Sequence, residues 1–295
     1  MSRVAILGCG YVGLELARQL QPDHEVVGVR RSDAGLAAVE STGAEAIRGD
    51  VTEPESLEPV PDADWVVFAA SSGGRDVEAA REVYVDGLRE TIDHFCERES
   101  VPDRIVYTSS TGVYGDHDGD WIDEGTPIDP TTEKTAVLAD AEEIARQRPI
   151  DDTDGTVARF GGLYGPDRYR LDRYVEGPVT EGYLNMVHRD DAAGAVRFLL
   201  EEDVARREVV NVVDDEPVEK WAFADWLAKQ CGEPEPPKQT TSERLDDPAL
   251  STAAKRRIET SKRVSNEKLR DLGYEFAYPT YREGYRAAIE QYRDR

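Results

Sequence analysis

The stretch Val4-Ala5-Ile6-Leu7-Gly8-Cys9-Gly10-Tyr11-Val12-Gly13, followed directly by Leu14-Glu15-Leu16-Ala17-Arg18-Gln19-Leu20, decides how the rest of the chain is read. Its apolar run is short enough for a buried strand, and helical periodicity begins immediately after the glycines. Glycines at 8, 10 and 13 in a strand–turn–helix context form the dinucleotide-binding fingerprint. Gly8 permits the tight turn, and Gly10 lets the backbone approach a pyrophosphate. Gly13 lets the helix lie close to the strand, so that the N–H groups around Tyr11 and Val12 face the anion. Cys9 suits the same turn as a small side chain rather than as a redox group.

Composition limits the remaining classes. A chain of 295 residues fits one large domain or two modest ones, with ample material for a core. The formal net charge is −25. Lysine occurs only at positions 134, 220, 229, 238, 255, 262 and 268, which leaves 29 of the 36 basic residues as arginine. Acidic excess spread along a chain with ordinary folding signals fits a halophilic surface, and it repels nucleic acid and anionic membranes. The three cysteines, Cys9, Cys96 and Cys231, show neither disulfide nor metal spacing. No leader pattern precedes the first strand and no apolar run approaches ~18 residues, so a cytoplasmic protein is expected.

Strand and helix patterns alternate through the first half. Strands are expected over 4–7, 25–29, 44–47, 65–69, 104–108 and 156–160, with helices over 12–20, 33–41, 76–98 and 133–148. Repeated βαβ units predict an α/β fold with a doubly wound parallel sheet of Rossmann type. Farther on, helices are expected over 190–200, 221–230 and 282–292, and a strand over 209–213.

Several segments together resemble the extended short-chain dehydrogenase/reductase family, the NAD-dependent epimerase/dehydratases. They are Tyr107-Thr108-Ser109-Ser110-Thr111-Gly112-Val113-Tyr114-Gly115, Gly162-Leu163-Tyr164-Gly165-Pro166 and Met186-Val187-His188-Arg189-Asp190-Asp191-Ala192. The closing stretch from Ser261 to Gly284 is similar to an atypical subgroup. The resemblance implies a Rossmann domain over 1–165, completed by about 185–215, and a smaller C-terminal substrate-binding region over 166–184 and 216–295. It also implies a cleft active site, a small-molecule substrate that is polar, sugar-like or anionic, and a homodimer. By position, Asp50 and Val51 would flank the adenine, and Ala69, Ala70 and Ser71 would line the cofactor path.

The end of the second strand bears on the cofactor. An NAD site usually carries an acidic residue there, whereas this chain has Val29-Arg30-Arg31-Ser32. Two guanidiniums and a hydroxyl suit a 2′-phosphate, so NADP is favoured over NAD. No metal is expected.

The family's acid/base set survives only in part. Its serine maps to Ser110. Its tyrosine and lysine should open the helix near 133–148, yet the segment reads Glu133-Lys134-Thr135-Ala136-Val137-Leu138-Ala139. Anchoring on Glu142 puts Lys134 at the tyrosine position and Leu138 at the lysine position. Anchoring on Glu143 instead gives Thr135 and Ala139. The family's asparagine position carries Tyr84. Lys134 and Tyr84 are therefore the substitute catalytic candidates beside Ser110, with Tyr84 at a spacing that also suits the core. His117, His188, Arg168, Arg170, Arg173 and the basic stretches 255–257 and 262–263 are secondary candidates, with Asp190 expected to cap a helix. Two functions stay open: an NAD(P)-dependent oxidoreductase or epimerase, and a non-catalytic NAD(P)-binding regulatory or redox-sensing protein.

Overall fold

The computed structural model describes residues 1–73, 76–149 and 152–295. The chain forms two compact units. The first comprises 1–113, 133–159 and 192–210, and the second 114–132, 160–191 and 211–295. Residues 114–132 and 160–165, which lie inside the expected first domain, therefore cluster with the second unit.

The main sheet has seven strands: β1 (Arg3–Leu7), β2 (Glu25–Arg30), β3 (Glu45–Arg48), β4 (Trp65–Phe68), β5 (Arg104–Ser110), β6 (Asp154–Phe160) and β7 (Val209–Val212). Their spatial order is β7-β6-β5-β4-β1-β2-β3. The pairings from β3 across to β5 are parallel. The bonds from Val157 N to the Glu208 carbonyl and from Gly161 N to the Val212 carbonyl continue the same direction. The order reverses between β1 and β4, the switch point where open α/β sheets bind ligands beyond their carboxyl ends.

Helices α1 (Tyr11–Leu20), α2 (Asp33–Glu40), α3 (Val77–Arg81), α4 (Gly87–Cys96) and α5 (Glu133–Gln147) belong to this unit. With helices on both faces, the central strands are buried on both sides, which is why Val4–Leu7 and Val66–Phe68 are apolar throughout. One core cluster joins Leu7, Val29 and Phe68 of the sheet to Leu88 and Phe95 of α4 and Ala141 of α5.

Two differences from expectation matter for the site. The helix expected over 76–98 is interrupted by a π-turn at Glu82–Asp86, and β5 runs on to Ser110. The final helix is also divided, into Tyr281–Gly284 and Arg286–Arg293.

The second unit uses short pairs of strands. Met186–His188 runs parallel to Gly162–Tyr164, and Arg263–Val264 runs parallel to Trp121–Ile122. Its own core gathers Tyr164, Phe223, Leu227, Tyr281, Tyr285 and Ile289. Among the described residues, no helix is long and apolar enough to cross a membrane.

Candidate active site

The glycine turn sits where β1 meets β4. Gly8 has φ +78°, and a Cβ there would lie 2.3 Å from Ala70 Cα. Only glycine fits this conformation and this approach. A Cβ on Gly13 would lie 3.1 Å from Ile6 Cγ2, so α1 rests closely on β1. Gly10 occupies the N-cap of α1, and no side chain caps that helix end. The α1 amino terminus therefore presents backbone donors, and the helix dipole favours an anion there.

The arginine at the end of β2 turns toward this cradle. Arg30 Nη1 lies 2.8 Å from where a Cβ on Gly10 would stand. Most arginines in this acidic protein meet a carboxylate; the Arg30 carbonyl accepts from Gly49 N at 3.2 Å, but its guanidinium has no hydrogen-bond or ion-pair partner among the described residues. Arg31 contacts the Asp50 carboxylate at 3.0 Å. Burial alone would raise the Asp50 carboxyl, but the Thr52 N–H, the Arg31 guanidinium and the Thr52 hydroxyl outweigh it and hold it below the usual range. A helix start without a side-chain cap, the Arg30 guanidinium and a second guanidinium beside it form a donor set that fits the phosphates of a dinucleotide.

Two expected cofactor residues have other occupations. The Ser32 hydroxyl accepts from Gly35 N at 3.2 Å as the N-cap of α2, which leaves only its own proton for a ligand. The Val51 side chain is 5% exposed and belongs to the core, against Gly87, so its side chain does not flank a base. Ala69, Ala70 and Ser71 follow β4 at the switch point, with Ser71 exposed.

Alternation along β5 separates the hydroxyls. Ser109 points into the core and donates to Glu142 Oε1 at 2.6 Å. Ser110 points the other way and is partly exposed, and its oxygen accepts from Gly112 N at 3.1 Å. The Ser110 proton stays available to a ligand oxygen. Glu142 is buried and clasped by Arg159 at 2.6 Å, whereas Glu143 is exposed. Burial of Glu142 against β5 and β6 favours the register anchored on it, which places Lys134 where the family's tyrosine would stand.

Tyr84 lies in the π-turn. Its ring is in the core, while its hydroxyl receives a long hydrogen bond from Ser72 N at 3.4 Å. Lys134 Nζ stands 6.0 Å from the centre of the ring. Burial pushes the phenol up, yet hydrogen bonding from Ser71 and Ser72 and the positive charge of Lys134 bring it below its ordinary value. A Cβ on Gly112 would lie 3.3 Å from Ser110 Oγ and 3.4 Å from Thr135 Cγ2, so the start of α5 abuts the turn that carries Ser110.

Comparison with known proteins agrees with this geometry. The sequence model described as NAD(P)H-binding matches residues 8–203, from the first glycine through α5 and beyond. The chain belongs to the NAD(P)H-binding family. Protein YeeZ of Escherichia coli (strain K12) is 31% identical over 291 residues, spanning 95% of this chain and 97% of YeeZ. A solved structure named as a candidate NAD-dependent epimerase/dehydratase from Methylobacillus flagellatus shares 29% identity and a TM-score of 0.78, with 99% of each chain covered. A human epimerase family protein, solved with NADPH, shares the fold at a TM-score of 0.75 and 19% identity over 99% of each chain.

The secondary candidates of this NAD(P)H-binding protein lie in the second unit and are mostly structural. His117 Nε2 is 3.0 Å from the Tyr114 carbonyl, and no group of metal ligands occurs among the described residues. Tyr114 donates to Asn211 Oδ1 at 2.9 Å in the core. His188, not Asp190, caps the helix Arg189–Glu201: its Nδ1 accepts from Asp190 N at 3.2 Å. Tyr164 is 2% exposed and stacked on Tyr285 at 4.9 Å, and burial pushes its phenol far up, which removes it as an acid.

The basic stretches do not form one patch. Lys262 is 6% exposed and donates to the Gly115 carbonyl at 2.6 Å, and burial lowers its amine to about 8. Arg263 donates to the Gly119 carbonyl, and Arg256 to that of Thr131. The Arg257 side chain lies outside the described residues. Arg170 and Arg173 are exposed. Sequence reasoning missed Arg159, which fixes Glu142, and Ser72, which meets Tyr84. Arginine in a β-strand and serine in a turn carry no signal until their partners are known.

Proposed function

We propose that this protein is an NADP(H)-dependent oxidoreductase or epimerase acting on a small polar substrate with a carbonyl or a secondary hydroxyl. The observation that carries the reading is the unpaired Arg30 guanidinium over Gly10, beside Arg31, at the uncapped start of α1. A 2′-phosphate supplies the counter-charge that the Arg30 guanidinium lacks, and arginine binds phosphate in a planar, two-pronged manner.

When bound, the cofactor supplies or accepts hydride at its nicotinamide. The chain contributes the rest. The α1 terminus and the arginines hold the phosphates, and the Ser110 proton hydrogen-bonds the substrate oxygen and stabilises charge that develops there. The test is NADPH consumption with a panel of dicarbonyls, and epimer formation from a panel of nucleotide sugars, in molar salt, comparing wild type with Ser110→Ala. Turnover that falls about 100-fold or more in the variant, with nucleotide binding retained, supports the enzyme. Nucleotide binding with no turnover for wild type contradicts it and favours a sensor.

A further inference from the structure

We propose that Tyr84 and Lys134 replace the tyrosine–lysine pair missing from α5, with Tyr84 as the proton donor and Lys134 as the cation that steadies its phenolate. This inference rests on the oxidoreductase reading above. In the reducing direction, a bound NADPH would supply hydride to the carbonyl carbon, and the Tyr84 hydroxyl would give its proton to the carbonyl oxygen. The products are the alcohol, NADP⁺ and a tyrosinate, which regains a proton from solvent. No further reactant is needed.

The placement argues for this. Tyr84 arrives from the α3–α4 side, not from α5, and it sits in a π-turn spanning Glu82–Asp86. A π-turn adds a residue to the helical repeat and re-aims what it carries, and such turns are frequent at functional sites. Here it leaves the ring in the core but brings the hydroxyl to Ser72, just past the carboxyl end of β4. That is the switch-point edge, which also holds Gly8 and Ala70. Lys134, at the second position of α5, lies 6.0 Å from the ring centre, and α5 begins against the Ser110–Gly112 turn. A phenol, an ammonium and a free hydroxyl proton therefore gather from three separate elements of the same unit.

The electrostatics favour an acid over a core tyrosine. Burial pushes the phenols of Tyr107, Tyr274 and Tyr285 upward. Tyr84 moves the opposite way because hydrogen bonds and the Lys134 charge outweigh its burial. A cation beside a phenol stabilises the charged form, and a proton donor works best when its pKa approaches the working pH.

Two readouts test the pair. The first is ultraviolet titration of tyrosinate near 295 nm, without nucleotide, in wild type, Tyr84→Phe, Lys134→Met and Lys134→Arg. Wild type should show one phenol ionising before the others. Tyr84→Phe should lose that step, Lys134→Met should move it to higher pH, and Lys134→Arg should largely keep it. The second is steady-state reduction, in which Tyr84→Phe should lose about 100-fold or more in kcat while its NADPH affinity stays within threefold of wild type. An early step that survives in Tyr84→Phe, or a kcat within threefold of wild type, overturns the proposal. If wild type binds NADPH and reduces nothing, the oxidoreductase reading fails, and with it the donor role. The titration then decides only whether the two side chains are coupled.

Discussion

Arg159 Nε lies 3.0 and 3.1 Å from the two carboxylate oxygens of Glu142, and Arg159 Nη2 lies 2.6 Å from one of them. Glu142 also accepts the Ser109 hydroxyl at 2.6 Å. Both charged side chains are almost completely buried. The pair ties the middle of α5 to β5 and β6, and it thereby sets where the start of α5, two turns earlier, brings Thr135 to the Gly112 turn and Lys134 to the Tyr84 ring. Removing one partner leaves the other charge buried alone. Glu142→Ala should therefore lose about 3–5 kcal/mol of stability in denaturant titration. Replacing both by apolar residues of similar volume should recover much of that loss. A single Glu142→Ala variant as stable as wild type would show that the pair does not anchor α5.

The glycine turn predicts a second effect. A Cβ at Gly8 would meet the Ala70 backbone in addition to the unfavourable left-handed conformation. Gly8→Ala should cost at least about 1 kcal/mol from the conformation alone, and more from the clash. Thermal melts should show the loss. Nucleotide binding should suffer further, because the turn moves exactly one end of the phosphate cradle and not the core.

A third effect concerns Asp214, which is 2% exposed and, among the described residues, has no hydrogen bond within ordinary geometry to either carboxylate oxygen. Burial, reinforced by Asp215, Glu216 and Asp191, pushes its carboxyl well above the ordinary range, against a weak approach of the Glu216 N–H. The folded protein therefore holds this proton to higher pH than the unfolded chain does. Stability from this group falls as pH rises from the unfolded carboxyl range, about 4, towards the raised folded value. Asp214→Asn should remove that slope and stabilise the protein at neutral pH by about 1–3 kcal/mol. Denaturant midpoints at pH 5 and pH 8 for both proteins check it. An equal pH slope in the variant would assign the dependence elsewhere.

Much of the fold was legible because it depends on local rules. The alternation of apolar runs and helical periods located every strand of the main sheet, and the glycines at 8, 10 and 13 marked the turn at its switch point. Of the candidate site, the sequence pointed to Ser110 and the arginines after β2, because their places at strand ends follow from local rules. Tyr84 read equally well as a core residue, since its ring is indeed in the core. What distinguishes it is a π-turn and a lysine 50 positions away, neither visible in its own neighbourhood. Ser32 and Val51 show the converse: residue type and position suited a ligand, and the sequence did not show that the Ser32 oxygen also caps α2 or that the Val51 side chain packs against Gly87.

In the proposed function a nucleotide phosphate sits at the start of α1 under Arg30. Equilibrium fluorescence titration of NADPH and NADH, with wild type and Arg30→Ala in molar salt, tests it most directly. Wild type should bind NADPH more tightly than NADH, and Arg30→Ala should weaken NADPH by about 10- to 100-fold while changing NADH much less. Equal affinities that the substitution leaves untouched, or no saturable binding of either nucleotide, would contradict it.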